Sequence, residues 1–156
     1  MRKYAAAVAV ISLLVPAAAA VAAAPGYRQY TGGDASRRNW RVGNKPGVRL
    51  LTHAGRFYVI SVVLPERCSN GAMVTARVGF EAPDASDRFS GPVRASGRFS
   101  VTVIYPRGKS RVSGRLTRSG GEMTFLDHGP LTAASPVICH GSHTFKLTTN
   151  TGGGGR

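Results

Sequence analysis

After residue 24, no segment of this chain repeats its apolar residues at helical spacing, and that closes off most architectures open to a domain of this size. Short alternating runs separated by turn-forming residues take the place of helices. Met73 to Phe80 sets Val74, Ala76, Val78 and Phe80 on one face and Met73, Thr75, Arg77 and Gly79 on the other. Arg98 to Tyr105 aligns Phe99, Val101, Val103 and Tyr105, and Arg111 to Thr117 aligns Val112, Gly114 and Leu116. Val48–Thr52, Met123–Leu126 and His143–Thr148 are further extended runs. Ala54-Gly55, Asn70-Gly71, Gly97 and Gly120-Gly121 punctuate them as turns. Even spacing of this kind predicts an all-β antiparallel sandwich, with a small β-barrel as the alternative.

The most apolar run of the predicted domain is Phe57 to Leu64, closed by Pro65. Its β-branched and aromatic content argues for a strand over a buried helix. Its apolar residues fall on both parities, which predicts a central strand covered on both faces. Pro65 to Gly71 is expected to be a loop.

Cys68 follows this run, and Cys139 precedes the last extended run. The opening residues bear on how they behave. Arg2 and Lys3 precede an apolar stretch ending at Pro16, and Ala22-Ala23-Ala24 suits cleavage, so residues 1–24 read as a signal peptide with no transmembrane segment. The exported product is expected to be secreted. In an oxidising compartment two cysteines pair, and only Cys68–Cys139 is available. Closing a loop of about 70 residues contributes roughly 4 kcal/mol in the chain-entropy account. The remaining ~130 residues suffice for one core. Residues 25–37 are expected as a flexible basic arm, 38–149 as the β-sandwich domain and 150–156 as a disordered Gly-rich tail. Trp40 is expected in the core.

The full chain holds 21 Lys and Arg against 7 Asp and Glu, a formal charge of +14. Such a charge favours anionic partners, and its effect weakens with salt. The densest cationic and aromatic stretch is Arg28, Arg37, Arg38, Arg41, Lys45 and Arg49 with Tyr27, Tyr30 and Trp40. Arg111 and Arg115 add an outward stripe by strand parity. Arg37, Arg38, Arg41, Lys45, Arg111 and Arg115 are therefore the expected anion-binding residues. An anionic polysaccharide or cell-wall polymer is the expected partner. No RNA-binding signature is present, so no specific nucleic acid is expected.

Motifs for catalysis are lacking. Asp127-His128 is half a catalytic pair in composition, but adjacent strand residues point to opposite faces. No Gly-x-Ser-x-Gly elbow occurs. Glu81, Asp84 and Asp87 lack the spacing of a calcium loop and read as a solvated turn region. His128, His140 and His143 are a lesser metal candidate, because their spacing brings no three ligands together without help from the fold. No cofactor is expected. The chain reads as a non-enzymatic binding domain, with a secreted protein-interaction or inhibitor module as the alternative.

Tyr30-Thr31-Gly32, the segment Arg88 to Ser100 with its Gly97-Arg98-Phe99-Ser100 turn, Val112 to Thr117, and Cys139-x-Gly141-x-x-x-Phe145 resemble a loose group of small secreted bacterial β-sandwich proteins common in actinobacteria. The resemblance runs from about Tyr30 to Leu147. It implies secretion, a sandwich and a disulfide, and it carries no catalytic residues. Two positions depart from the group: Gly141 follows Cys139 after one residue instead of two, and Phe145 stands where the group has Trp.

Overall fold

A computed structural model of the chain describes residues 26–36, 45–79, 89–132 and 134–150. The expected signal peptide, the Gly-rich tail beyond Asn150, Trp40 and the acidic loop Glu81–Asp87 lie outside the described residues.

The described residues form nine strands and one short 3₁₀ turn, Asp34–Ser36. In chain order the strands are β1 Arg28–Gly33, β2 Gly47–His53, β3 Arg56–Cys68, β4 Met73–Gly79, β5 Ser90–Pro92, β6 Arg98–Tyr105, β7 Gly108–Leu116, β8 Gly120–Pro130 and β9 Ile138–Asn150. All pairings are antiparallel, in the order β4-β3-β2-β1-β9-β8-β7-β6, with β5 pairing β3. A short ladder, Arg67–His140 and Cys68–Cys139, also joins β3 to β9. It closes β1, β2, β3 and β9 into a ring, while β8, β7 and β6 continue outward from β9. The all-β antiparallel expectation holds, and among the described residues the strand pairing combines a closed circuit with strands β4 and β6 at the ends of the order. Among the described residues no helix is long and apolar enough to cross a membrane.

The apolar residues on both parities of β3 have a local cause. Arg49 pairs with Ser61 and Leu50 with Val59, so Ile60 is an extra residue, a β-bulge. The bulge switches the inward parity from Phe57 and Val59 to Val62, Leu64, Glu66 and Cys68. Val63 faces the other way and is buried with Ala35 of the 3₁₀ turn. Arg49 anchors that turn through Nε and Nη2, each 3.4 Å from the Ala35 carbonyl.

Three expected boundaries change. Within the expected arm, 25–37, Arg28–Gly33 is instead strand β1, laid between β2 and β9. Tyr30 is buried at 2% exposure, and Gly32 permits close approach, because a Cβ there would lie 2.9 Å from the Lys146 carbonyl oxygen. Pro65 does not end β3. It faces out of the sheet, opposite Thr75, and the strand runs on to Cys68. β8 and β9 are longer than their apolar runs, since each satisfies its neighbour's backbone over eleven paired positions.

One core joins the strands. Phe57, Phe125, Phe145, Leu50, Leu64 and Met123 are fully buried in it. Phe57 of β3 and Phe99 of β6 pack with ring centroids 4.5 Å apart, so the far end of the sheet folds back over β3. Cys68 and Cys139 are bonded across the β3–β9 ladder, as the cysteine count predicts.

Candidate anion-binding cleft

Four chain segments surround a cleft of about 640 Å³. They are the start of β1, the β2–β3 turn at His53–Gly55, the β5–β6 turn at Val93–Gly97, and the end of β7 with the turn after it. Backbone bonds fix these turns to one another. Val93 N donates to Gly55 O at 2.8 Å, and Leu116 N donates to Gly97 O at 2.9 Å. Gly97 has φ +78°, and a Cβ there would lie 2.1 Å from the Leu116 carbonyl oxygen, so only glycine suits this turn. Tyr30, rooted in the core, donates from its hydroxyl to Thr117 O at 3.0 Å and ties β1 to the turn after β7.

Arg28, Arg94, Arg115 and Arg118 line this cleft, and among the described residues no Asp or Glu does. All four are exposed. Arg115 Nε donates to Ser96 O at 3.2 Å, which orients its guanidinium. Beside them Tyr27 stacks on His53, with centroids 4.2 Å apart and planes at 15°. The His53 Nδ1 donates to Gly26 O at 3.3 Å, holding the ring in place. Guanidinium forks match carboxylate and phosphate oxygens in pairs, and a flat aromatic surface suits a sugar ring or another planar group. The cleft is therefore chemically equipped for an extended polyanion.

The expected binding residues are distributed differently from the sequence reading. Arg115 lines the cleft, and Arg111 lies on the same outward face of β7, four residues back. Lys45 is exposed just before β2, at the end of that strand remote from His53. Arg37, Arg38 and Arg41 lie outside the described residues. Arg94 and Arg118 were not singled out from sequence. Arg94 lies two residues before Ser96 and Arg118 directly before Ser119, and turns from distant parts of the chain meet only in three dimensions.

The histidines do not converge as three. His143 faces inward, its ring 4.5 Å from Phe145 in an edge-on contact. His128 and His140 are direct partners across β8 and β9 and face outward. Among the described residues no group of three His, Cys, Asp or Glu side chains is placed to hold a metal ion. Strand parity correctly separates Asp127 from His128.

Asp127 instead belongs to a polar cluster on the inward side. Its Oδ1 accepts from Tyr105 at 2.8 Å and from the Ser110 hydroxyl. Glu66, only 6% exposed, also hydrogen-bonds Asp127. Burial pushes the Glu66 carboxyl up to about 7, and the hydrogen bond to Asp127 and its charge push the same way. Burial likewise pushes the Tyr105 phenol up to about 12, which keeps it a donor. Gly141 makes room for this arrangement, because a Cβ there would lie 2.8 Å from Glu66 Cγ. A carboxylate pair sharing a proton is a catalytic motif when a substrate can reach it. Glu66 is packed against the β9 backbone and its Oε1 has no hydrogen-bond partner, while Asp127 lines a trough on the surface.

No family model, curated protein or solved structure matches the chain.

Proposed function

We propose that this protein is a non-enzymatic domain that binds an anionic extracellular or cell-envelope polymer through the cleft. The observation that carries this reading is the cleft's lining of four guanidinium groups, with no carboxylate among the described residues. Like charges held together in solvent repel one another, and an anion laid among them removes that cost. The stacked Tyr27–His53 pair favours a ring-bearing chain over a small ion. The disulfide accords with an oxidising compartment, where uronic and teichoic polymers are at hand.

The test is retention of the protein on immobilised polygalacturonate across a salt gradient from about 50 mM to about 500 mM. The expected result is strong retention at low salt, lost at high salt. An Arg28→Gln/Arg94→Gln/Arg118→Gln variant should pass through without retention. Retention that is independent of salt, or unchanged in this variant, would refute the reading.

A further inference from the structure

A second cationic feature lies at the far end of the same β7 strand and shares no residue with the cleft. Lys109 pairs with His128, His128 with His140, and His140 with Arg67. Direct partners on adjacent strands project to the same face, and all four residues are exposed. They form one row across β7, β8, β9 and β3, about 14 Å long from the usual strand spacing. Beside the row runs a trough of about 580 Å³, lined by Thr102, Lys109, Arg111, Asp127, His128 and His140 among others.

Two partners suit a pair of facing imidazoles: a transition-metal cation or an anion. The surroundings decide between them. Lys109, Arg111 and Arg67 flank the pair from β7 and β3 with fixed positive charge. The nearest outward carboxylate on β8, Glu122, is six residues from His128, about 20 Å along the strand. Asp127 also lines the trough, but its Oδ1 is taken up by the Tyr105 and Ser110 hydroxyls, with Glu66 beside it. A cation would meet repulsion and only two nitrogen ligands. An anion would meet donors from four strands, because Lys and Arg stems can reach across one strand spacing toward the central imidazoles.

We propose that Lys109, His128, His140 and Arg67 form a second anion site, which takes phosphoryl groups and binds them more tightly in acid. A phosphoryl group offers more acceptor oxygens than a carboxylate, which suits donors arriving from both sides. Histidine is the side chain whose charge ordinarily changes between pH 5 and 8, so a row centred on two imidazoles suits an anion site that responds to acid. The group can come from a soluble phosphate or from a lipid headgroup.

Calorimetric titration of the full chain with inorganic pyrophosphate tests the site at about pH 5.5 and about pH 8. Affinity should rise about tenfold or more in acid. A His128→Gln/His140→Gln variant should lose that rise, and an Arg28→Gln/Arg118→Gln variant should keep it, which separates this site from the cleft. Glu66→Gln should also keep it; loss there would assign the pH response to the buried carboxylate and overturn the proposal. Affinity that is unchanged with pH, or unaffected by the histidine changes, would overturn it as well. So would zinc binding abolished by the histidine changes, with no response to pyrophosphate. Flotation with phosphatidylcholine vesicles, with and without phosphatidic acid, identifies the source. Binding only to the acidic vesicles assigns the site to lipid phosphate, and binding to pyrophosphate alone assigns it to soluble phosphate.

Discussion

The cleft and the Glu66–Asp127 cluster meet the two ends of β7, at Leu116 and Ser110, and they handle like charges in opposite ways. At the cleft, cations gather in the open. Arginine cannot shed its proton, so solvent and counterions must screen the repulsion, and a polyanion does so better. In the interior, two carboxylates meet where water is scarce. Carboxyls can take up a proton, so the pair relieves its repulsion by holding one, and Glu66 is pushed up to about 7. The contrast explains why one cluster is suited to a ligand and the other to the fold. Exposed fixed charge cannot be shed and must be screened, whereas a buried carboxyl can relieve repulsion by keeping its proton.

The largest effect should come from the end of the molecule that holds the carboxylates, since Cys68 lies two residues from Glu66. Replacing Cys68 and Cys139 with Ser removes a link across a sequence separation of 71 and should cost about 4 kcal/mol in chemical denaturation. Loss of under about 1 kcal/mol would mean that the β3–β9 ladder holds without it.

Glu66→Gln probes the proton directly. The folded carboxyl, at about 7 against an ordinary 4.5, keeps a proton that the unfolded chain releases. Stability should therefore fall as pH rises through that window and level off above it. Removing the charge should stabilise the protein at about pH 8 by on the order of 2 kcal/mol and change little at about pH 4. A stability curve that is flat between those values in the native protein would contradict the shared proton.

Tyr105→Phe removes one of the donors to Asp127 and should cost about 1 kcal/mol. The smallest effect on stability belongs to the cleft. Arg28→Gln, Arg94→Gln and Arg118→Gln should each change stability by less than about 0.5 kcal/mol while together abolishing retention on the polyanion. If they destabilise the fold appreciably, the cleft is a structural feature and the contrast between the two regions fails.

Much of the fold was legible because strand periodicity is a local property. Phe99, Val101, Val103 and Tyr105 share a face because side chains alternate along any strand, and the inward direction follows from their hydrophobicity. The single possible cysteine pairing was legible in the same way. Arg28–Gly33 was misread because its only strongly apolar residue is Tyr30. Its place between β2 and β9 depends on partners that begin 14 residues or more further along the chain. The bulge at Ile60 was hidden for a related reason, since an extra residue is visible only against a partner strand.

The binding residues divide along the same line. Sequence alone determined the excess of arginine, the alternation that makes sheets and the opposition of Asp127 and His128. It could not gather Arg28, Arg94, Arg115 and Arg118, whose positions span most of the described chain. Nor could it set Glu66 against Asp127, or line up Lys109, His128, His140 and Arg67. Periodicity says which way a side chain points from its own strand. Which strands become neighbours, and in what register, is settled by burying one shared core and satisfying the backbone across the whole sheet.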